Sequence, residues 1–158
     1  MIRISLLGSP APQGSKKFVG TTGTGRGLMV ESSKKVRPWR QDVKAAAELV
    51  MAGRAPLDGP LIAVMTFTLP KPTSAPKTRR TWPCRKPDAS KLARSTEDAL
   101  TDAGVWTDDA RVVTLISRKV YPNEGPSALQ SPGAVIEIYV VNEAEVMVQL
   151  ASQIQEAA

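Results

Sequence analysis

Residues 70–87 restrict the possible folds of this chain more than any other segment. They contain five prolines and six basic residues, and proline neither continues a helix nor donates the hydrogen bond that an inner strand needs. The segment therefore predicts a long loop. Loops of this length in compact domains are usually functional or disordered. We interpret it as a nucleic-acid-contacting loop with Trp82 as an anchor or stacking ring, and a plain linker is the alternative.

The remaining sequence alternates between strand and helix patterns. Apolar residues at alternate positions predict strands, and apolar residues every three to four positions predict helices. The strand at 60–69 should lie in the centre of a sheet, and the last two strands should form an antiparallel pair. We predict strands at about 1–7, 60–69, 111–121 and 134–141, and helices at about 38–53 and 89–103.

This order, β-α-β-α-β-β-α, predicts an α+β fold. A small mixed β-sheet of about four strands would be flanked by helices, with a Gly-rich N-terminal loop and the Pro/basic-rich loop. Residues 1–141 would form one domain, and 142–158 a C-terminal helix or tail. No apolar run approaches the length of a membrane span, and the N-terminus lacks a signal-peptide pattern, so we expect a cytoplasmic protein without membrane contact.

The chain of 158 residues contains no histidine and a single cysteine, Cys84. These counts exclude Ser-His-Asp triads, Cys-His dyads and the usual zinc sites. They also exclude an internal disulfide, which is consistent with a reducing compartment. Any catalytic metal ion must therefore be held by oxygen ligands.

Charge is distributed unevenly along the chain. Residues 1–87 contain 16 basic and 4 acidic residues, whereas residues 88–158 contain 5 basic and 11 acidic residues. A metal-dependent nuclease needs such a division, because cations attract the phosphate backbone while carboxylates hold a metal ion. A basic binding protein with an incidental acidic helix face is the alternative. The acidic cluster consists of Asp88, Glu97, Asp98, Asp102, Asp108 and Asp109.

Three of these acids flank the second helix. If the strand after the helix lies beside the helix start, Asp88 would converge with Asp108 and Asp109 on a site that suits Mg²⁺. In the alternative, Asp88 is only a helix cap and the acid pair only a turn.

The basic residues are candidates for DNA contact. The Gly-rich segments 8–17 and 20–27 lack the ending of a phosphate-binding P-loop. We interpret them as a mobile hairpin or arm that lies along DNA, with a plain surface loop as the alternative. The predicted DNA-binding residues are Lys16, Lys17, Lys34, Lys35, Arg37, Arg40, Lys77, Arg79, Arg80, Arg85, Lys86 and Lys91.

The stretch 85–112 carries a more specific signal. Its motifs are Lys86-Pro87-Asp88, Leu92, Asp98-Ala99-Leu100, Ala103-Gly104-Val105-Trp106 and Asp108-Asp109-Ala110-Arg111-Val112. These resemble the RusA family of Holliday junction resolvases, the crossover junction endodeoxyribonucleases. Residues 12–17 and 35–40 look more loosely like phage-type members, so the resemblance covers roughly residues 1–140.

The resemblance implies a homodimeric endonuclease that depends on Mg²⁺ or Mn²⁺. Such an enzyme binds four-way DNA junctions by shape and nicks two opposed strands during recombination and repair, and its small α+β fold surrounds a mixed sheet. By position, Asp88 matches the first catalytic aspartate of the family and Asp109 the last, with Asp108 as an acidic neighbour. Arg94 stands where the family usually has an essential lysine. Arginine keeps the positive charge but cannot donate a proton, because its pKa stays above about 12.

Position 90 departs from the Asp-x-Asp motif of the family, because Ser90 replaces the second acid. Either another carboxylate replaces it, or the protein is a weakened or inactive binder of branched DNA. Glu97 is the candidate ligand, since it returns to within about 20° of Ser90 on the helix face. It lies about 10 Å further along the axis, so it would have to build a shifted site. In the alternative, Glu97 is on this face only because it forms an ordinary surface ion pair with Arg94.

Overall fold

The computed structural model describes residues 1–141, except for 15, 22, 25–26 and 32–33, and of 16–19 and 27–31 it describes the backbone alone. The expected helix at 142–158 lies outside the described residues. The strands are β1 (Ile2–Leu7), β2 (Lys16–Thr21), β3 (Gly27–Glu31), β4 (Leu61–Thr68), β5 (Val112–Val120) and β6 (Gly133–Val140). The helices are α1 (Val36–Met51), α2 (Ala89–Asp102) and a short 3₁₀ helix at Asp109–Arg111.

The main sheet has four strands in the order β1-β6-β4-β5. It is mixed, because β4 pairs in parallel with β5 and antiparallel with β6. The predicted α+β fold and the central position of β4 are confirmed. All eight residues of β4 are buried, which is the pattern of a strand with neighbours on both edges and cover on both faces.

The expected antiparallel pair of the last two strands is wrong. β5 and β6 each pair with β4 and lie on opposite sides of it. The position of β4 between β5 and β6 gives this most apolar strand a hydrogen-bonded neighbour along each edge. The parallel connection from β4 to β5 runs through the Pro/basic loop and α2, as a parallel crossover requires.

The Gly-rich segment forms a separate hairpin. Strands β2 and β3 pair antiparallel as a two-stranded sheet, with a register irregularity between Phe18 and Gly20. The predicted hairpin is therefore confirmed for the described backbone.

The core lies between the main sheet and the two helices. On α1 the buried residues include Trp39, Val43 and Ala47, and on α2 they include Leu92 and Leu100. These are the apolar positions that recur at helical spacing, and burial of each large side chain contributes about 1.5–3 kcal/mol. Packing this face of α2 inward turns its opposite face, which carries the candidate site residues, toward solvent.

Polar groups within this core are satisfied by one another. The Trp39 indole N–H donates to Thr96 Oγ1 at 3.1 Å, which joins α1 to α2. Ser95 Oγ donates to the carbonyl oxygen of Ala11 at 2.7 Å, which joins α2 to the loop after β1. None of the helices within the described ranges combines the length and apolar character that a bilayer crossing requires.

Candidate active site

The first acid of the site stands at the beginning of α2. Asp88 occupies the N-cap position with extended backbone angles, yet its side chain makes no capping hydrogen bond. The carboxylate is exposed and faces Lys91, whose Nζ lies 3.4 Å from Asp88 Oδ2. Asp88 therefore has the N-cap position of the cap explanation but not the capping hydrogen bond, and its carboxylate contacts Lys91 instead.

The loop before Asp88 is fastened to the sheet by a lysine that the sequence did not single out. Lys119 Nζ, on β5, donates to the carbonyl oxygens of Arg85 and Pro87, at 2.9 Å each. Ser117 Oγ, two residues earlier on the same face of β5, donates to the carbonyl oxygen of Ala89 at 3.1 Å. These contacts determine where α2 begins and hence where Asp88 lies.

We expect Lys119→Met to lower the free energy of unfolding by about 1–2 kcal/mol, because two carbonyl oxygens lose their charged donor. Urea denaturation followed by circular dichroism measures the change. Lys44→Met is the matched control, since Lys44 forms a surface pair with Glu48 at 3.7 Å and such pairs contribute about 0.3–0.5 kcal/mol. Equal losses in the two variants would show that Lys119 does not anchor the loop.

The second acidic group lies further along α2. Burial raises the pKa of Glu97, and the nearby negative charges of Asp109 and then Asp98 raise it further, while Arg94 acts in the opposite direction. Asp109 is thus near enough for its charge to act on Glu97. The arrangement results from packing of the short 3₁₀ helix against α2. Arg94, Glu97 and Asp109 therefore form one charged group.

Asp108 stabilises the turn in which it lies. Its Oδ1 accepts a hydrogen bond from the Ala110 backbone N–H at 2.8 Å and caps the 3₁₀ helix. The plain explanation, a turn residue, is confirmed for Asp108. Asp109 makes no such cap and remains exposed.

The two acidic groups occupy different positions along α2. The end of β5 lies beside the helix start through Ser117 and Lys119, and the segment before β5 lies near Glu97. Nine residues separate Asp88 from Glu97, which corresponds to about 13 Å of axial rise. Among the residues that the structure describes, no three carboxylate or cysteine side chains are grouped so that they could hold one metal ion.

The donor chemistry fits a hard cation at the Glu97–Asp109 pair. Mg²⁺ is commonly held by one or two carboxylates, with waters and substrate phosphates completing the octahedron. The two acids repel each other when both are ionised, and a divalent cation would remove that repulsion. Of the predicted ligands, Asp109 is near enough for its charge to act on Glu97, Asp88 stands nine residues before Glu97 at the start of α2, and Asp108 is engaged by the backbone.

The predicted DNA-binding residues are mostly exposed. Arg40 has another role, because its guanidinium pairs with Asp98 at 3.3 Å and Asp102 at 3.2 Å and links the two helices. These two acids, counted in the acidic cluster, thus stabilise helix packing. The side chains of Lys16 and Lys17 lie outside the described residues. The exposed residues are Lys34, Lys35, Arg37, Lys77, Arg79, Arg80, Arg85, Lys86 and Lys91.

The Pro/basic loop is tied to the protein by Glu124, which sequence reasoning also missed. Its carboxylate pairs with Lys71 and accepts a hydrogen bond from the Thr81 N–H at 3.0 Å. The hydrogen bond from Lys71 is the largest cause that lowers the pKa of Glu124. Trp82 is 54% exposed, and the Arg80 guanidinium lies 3.9 Å from the centre of its ring. Trp82 is therefore a surface ring, which suits stacking better than anchoring.

The fold and the site define a class of protein. It is a small α+β protein with acidic side chains on and beside one helix, between basic loops, and this combination suits chemistry on a phosphodiester backbone. The family model described as endodeoxyribonuclease RusA matches residues 8–138. The chain belongs to the RusA endodeoxyribonuclease family, and the match spans the helix and the acids described above. No individual curated protein matches it.

Proposed function

We propose that this protein is a metal-dependent, structure-specific endonuclease that resolves four-way DNA junctions by paired nicks. The observation that supports this most directly is the group of Arg94, Glu97 and Asp109 on the solvent side of α2. Family membership supports DNA as the substrate, since RusA proteins are endodeoxyribonucleases.

In this proposal, Glu97 and Asp109 hold Mg²⁺ or Mn²⁺ through their carboxylate oxygens. When bound, the cation supplies charge stabilisation at the scissile phosphate and a bound water of lowered pKa. Arg94 adds a fixed positive charge next to the two carboxylates and attracts the phosphate. Asp88 would act at the beginning of α2, beside Lys91 and the basic loop.

The remaining basic residues would hold the arms of the junction. Because they meet phosphates, affinity should fall steeply with salt and depend weakly on base sequence. Two opposed nicks require two active sites, so the proposal includes a homodimer. We place the activity in the cytoplasm, where the exposed thiol of Cys84 would stay reduced.

The test is incubation of the purified protein with an end-labelled four-way junction. We expect paired symmetric nicks with Mg²⁺ or Mn²⁺ and none with EDTA. Binding of the junction without nicks under either metal would contradict the enzymatic proposal.

A second candidate is a junction-binding protein with weakened or lost chemistry. The observation that favours it is Ser90, an exposed neutral residue at the position of a family aspartate, together with the lack of a three-carboxylate group among the described residues. This candidate predicts binding to four-way junctions without efficient cleavage.

Ser90→Asp separates the two candidates. If Glu97 and Asp109 form the working site, the new acid lies one turn before Arg94 and competes for its guanidinium. We then expect cleavage to fall about tenfold, from the charge stabilisation that Arg94 otherwise supplies. The rate of nicking is measured at saturating protein.

The control is Ala45→Asp, which adds the same charge on the exposed side of α1. It should leave cleavage unchanged. A large gain of cleavage in Ser90→Asp would instead identify a degenerate site and favour the second candidate.

A further inference from the structure

A cleft of about 650 Å³ opens beside Asp88. Its walls are the loop that follows β1 and the two ends of the Pro/basic loop, and its volume is in the range of small-molecule pockets, about 300–1,000 Å³. Asp88 and four of the predicted DNA-binding cations reach its edge, but nothing proposed above occupies its interior. Much of its lining is formed by the apolar rings of Pro10, Pro12, Pro70, Pro72, Pro83 and Pro87.

The wall that carries Gln13 is held firmly to α2. The Gln13 backbone N–H donates to the Lys91 carbonyl oxygen at 3.0 Å, and the Ala11 carbonyl accepts from buried Ser95. With its backbone anchored at two points, Gln13 has a defined position at the cleft.

The side chain of Gln13 contains an unsatisfied hydrogen-bond acceptor. Its amide oxygen is buried and has no hydrogen-bond partner. A buried acceptor without a partner costs about 1–3 kcal/mol, and most such groups in proteins are paired. A ligand that brings a hydrogen-bond donor into this apolar slot would satisfy the oxygen once the Gln13 side chain turns toward it.

The charges around the cleft select the ligand class. Four cations contribute to its lining against the single carboxylate of Asp88, so the rim favours an anion. They are Lys35, Arg85, Lys86 and Lys91. A ligand that suits this cleft has three parts. Its flat apolar ring would pack on the prolines, its amino group would donate to the Gln13 amide oxygen, and its phosphate would pair with the cations.

We propose that this cleft binds one unstacked nucleobase of the DNA strand, next to the branch point, with Gln13 reading its amino edge. The inference rests on the proposed function and adds a base-binding subsite to it. Nucleotides at a branch are cheaper to unstack than those within a duplex, and proteins hold unstacked bases between apolar side chains and hydrogen-bond their edges. The cations bind the phosphates that flank the base.

The experiment measures Kd for four-way junctions without divalent metal, so that binding is read independently of cleavage. Nucleotides next to the branch are replaced one at a time by abasic residues. For the unaltered protein we expect one position to weaken binding about tenfold, as a good base contact would. Gln13→Leu should bind the intact junction about tenfold more weakly, and the same abasic replacement should then cost less than about twofold.

Gln41→Leu, an exposed change on α1, is the matched control and should behave as the unaltered protein. A second measurement does not need a folded variant. We expect 2-aminopurine at the sensitive position to become several-fold more fluorescent on binding, because the base leaves the stack. No sensitive position, an equal abasic penalty in Gln13→Leu, or unchanged fluorescence would overturn the subsite.

Failure of the proposed function would look different. If the protein does not prefer four-way junctions to linear duplex, the junction proposal fails. The same comparison is then made on a single-stranded oligonucleotide. Base-dependent binding that Gln13→Leu abolishes upholds the cleft as a base-binding site, and binding that ignores the bases overturns it.

Discussion

Asp109→Asn is expected to slow junction cleavage by at least about 100-fold, because the proposed site would lose one of the two carboxylates that hold its cation. The change is nearly isosteric and lies on an exposed turn. Asp109 raises the pKa of Glu97, so removing its charge relieves repulsion and should not destabilise the fold. The expected signature is lost cleavage with unchanged thermal stability and unchanged junction affinity, measured on the same preparation.

Glu97→Gln should slow junction cleavage by a similar factor if Glu97 is a metal ligand. Asp102→Asn, on the same helix but paired with Arg40, is the matched control and should cut at nearly the unaltered rate. Full activity of Glu97→Gln beside an inactive Asp109→Asn would exclude Glu97 as a ligand. Full activity of Asp109→Asn would remove the basis of the proposed site.

Gly133→Ala is expected to cause the largest loss of stability. Gly133 begins β6 and pairs with Leu7 of β1 and Thr68 of β4. A Cβ there would lie 2.2 Å from the backbone oxygen of Leu6 and 3.0 Å from the Cα of Leu7. Backbone atoms cannot move aside as a side chain can, so β1 would have to shift. We expect a loss of about 3 kcal/mol or more in the free energy of unfolding.

The matched control is Gly23→Ala. A Cβ at Gly23 meets no atom within 4 Å, so the same change should be nearly neutral. Thermal melts by circular dichroism compare the two, and a 3 kcal/mol loss lowers Tm by about 6–12 °C in a chain of this size. If Gly133→Ala and Gly23→Ala had the same Tm, β1 would not be held closely against β6.

The two helices and the central strand could be predicted from sequence because their signals are local. Trp39, Val43 and Ala47 recur at helical spacing, and each is buried on α1. Helix α2 begins at Ala89 as expected and ends at Asp102, just before Gly104. The pairing of β5 and β6 was not predictable in this way, because both strands have similar apolar patterns and only the burial of β4 favours its place between them.

The same distinction between local sequence signals and tertiary packing applies to the candidate site. The sequence alone determined that any metal ion here would need oxygen ligands, since the chain has no histidine and one cysteine, and that most cations precede the acidic cluster along the chain. Tertiary structure decided which acids lie near enough to influence each other's charge. Packing of the segment before β5 onto α2 puts Asp109 near Glu97, while Asp108 turns to its own backbone. It also decided that Lys119 supports the start of α2, because hydrogen bonds between residues distant in sequence depend on packing and leave no local pattern.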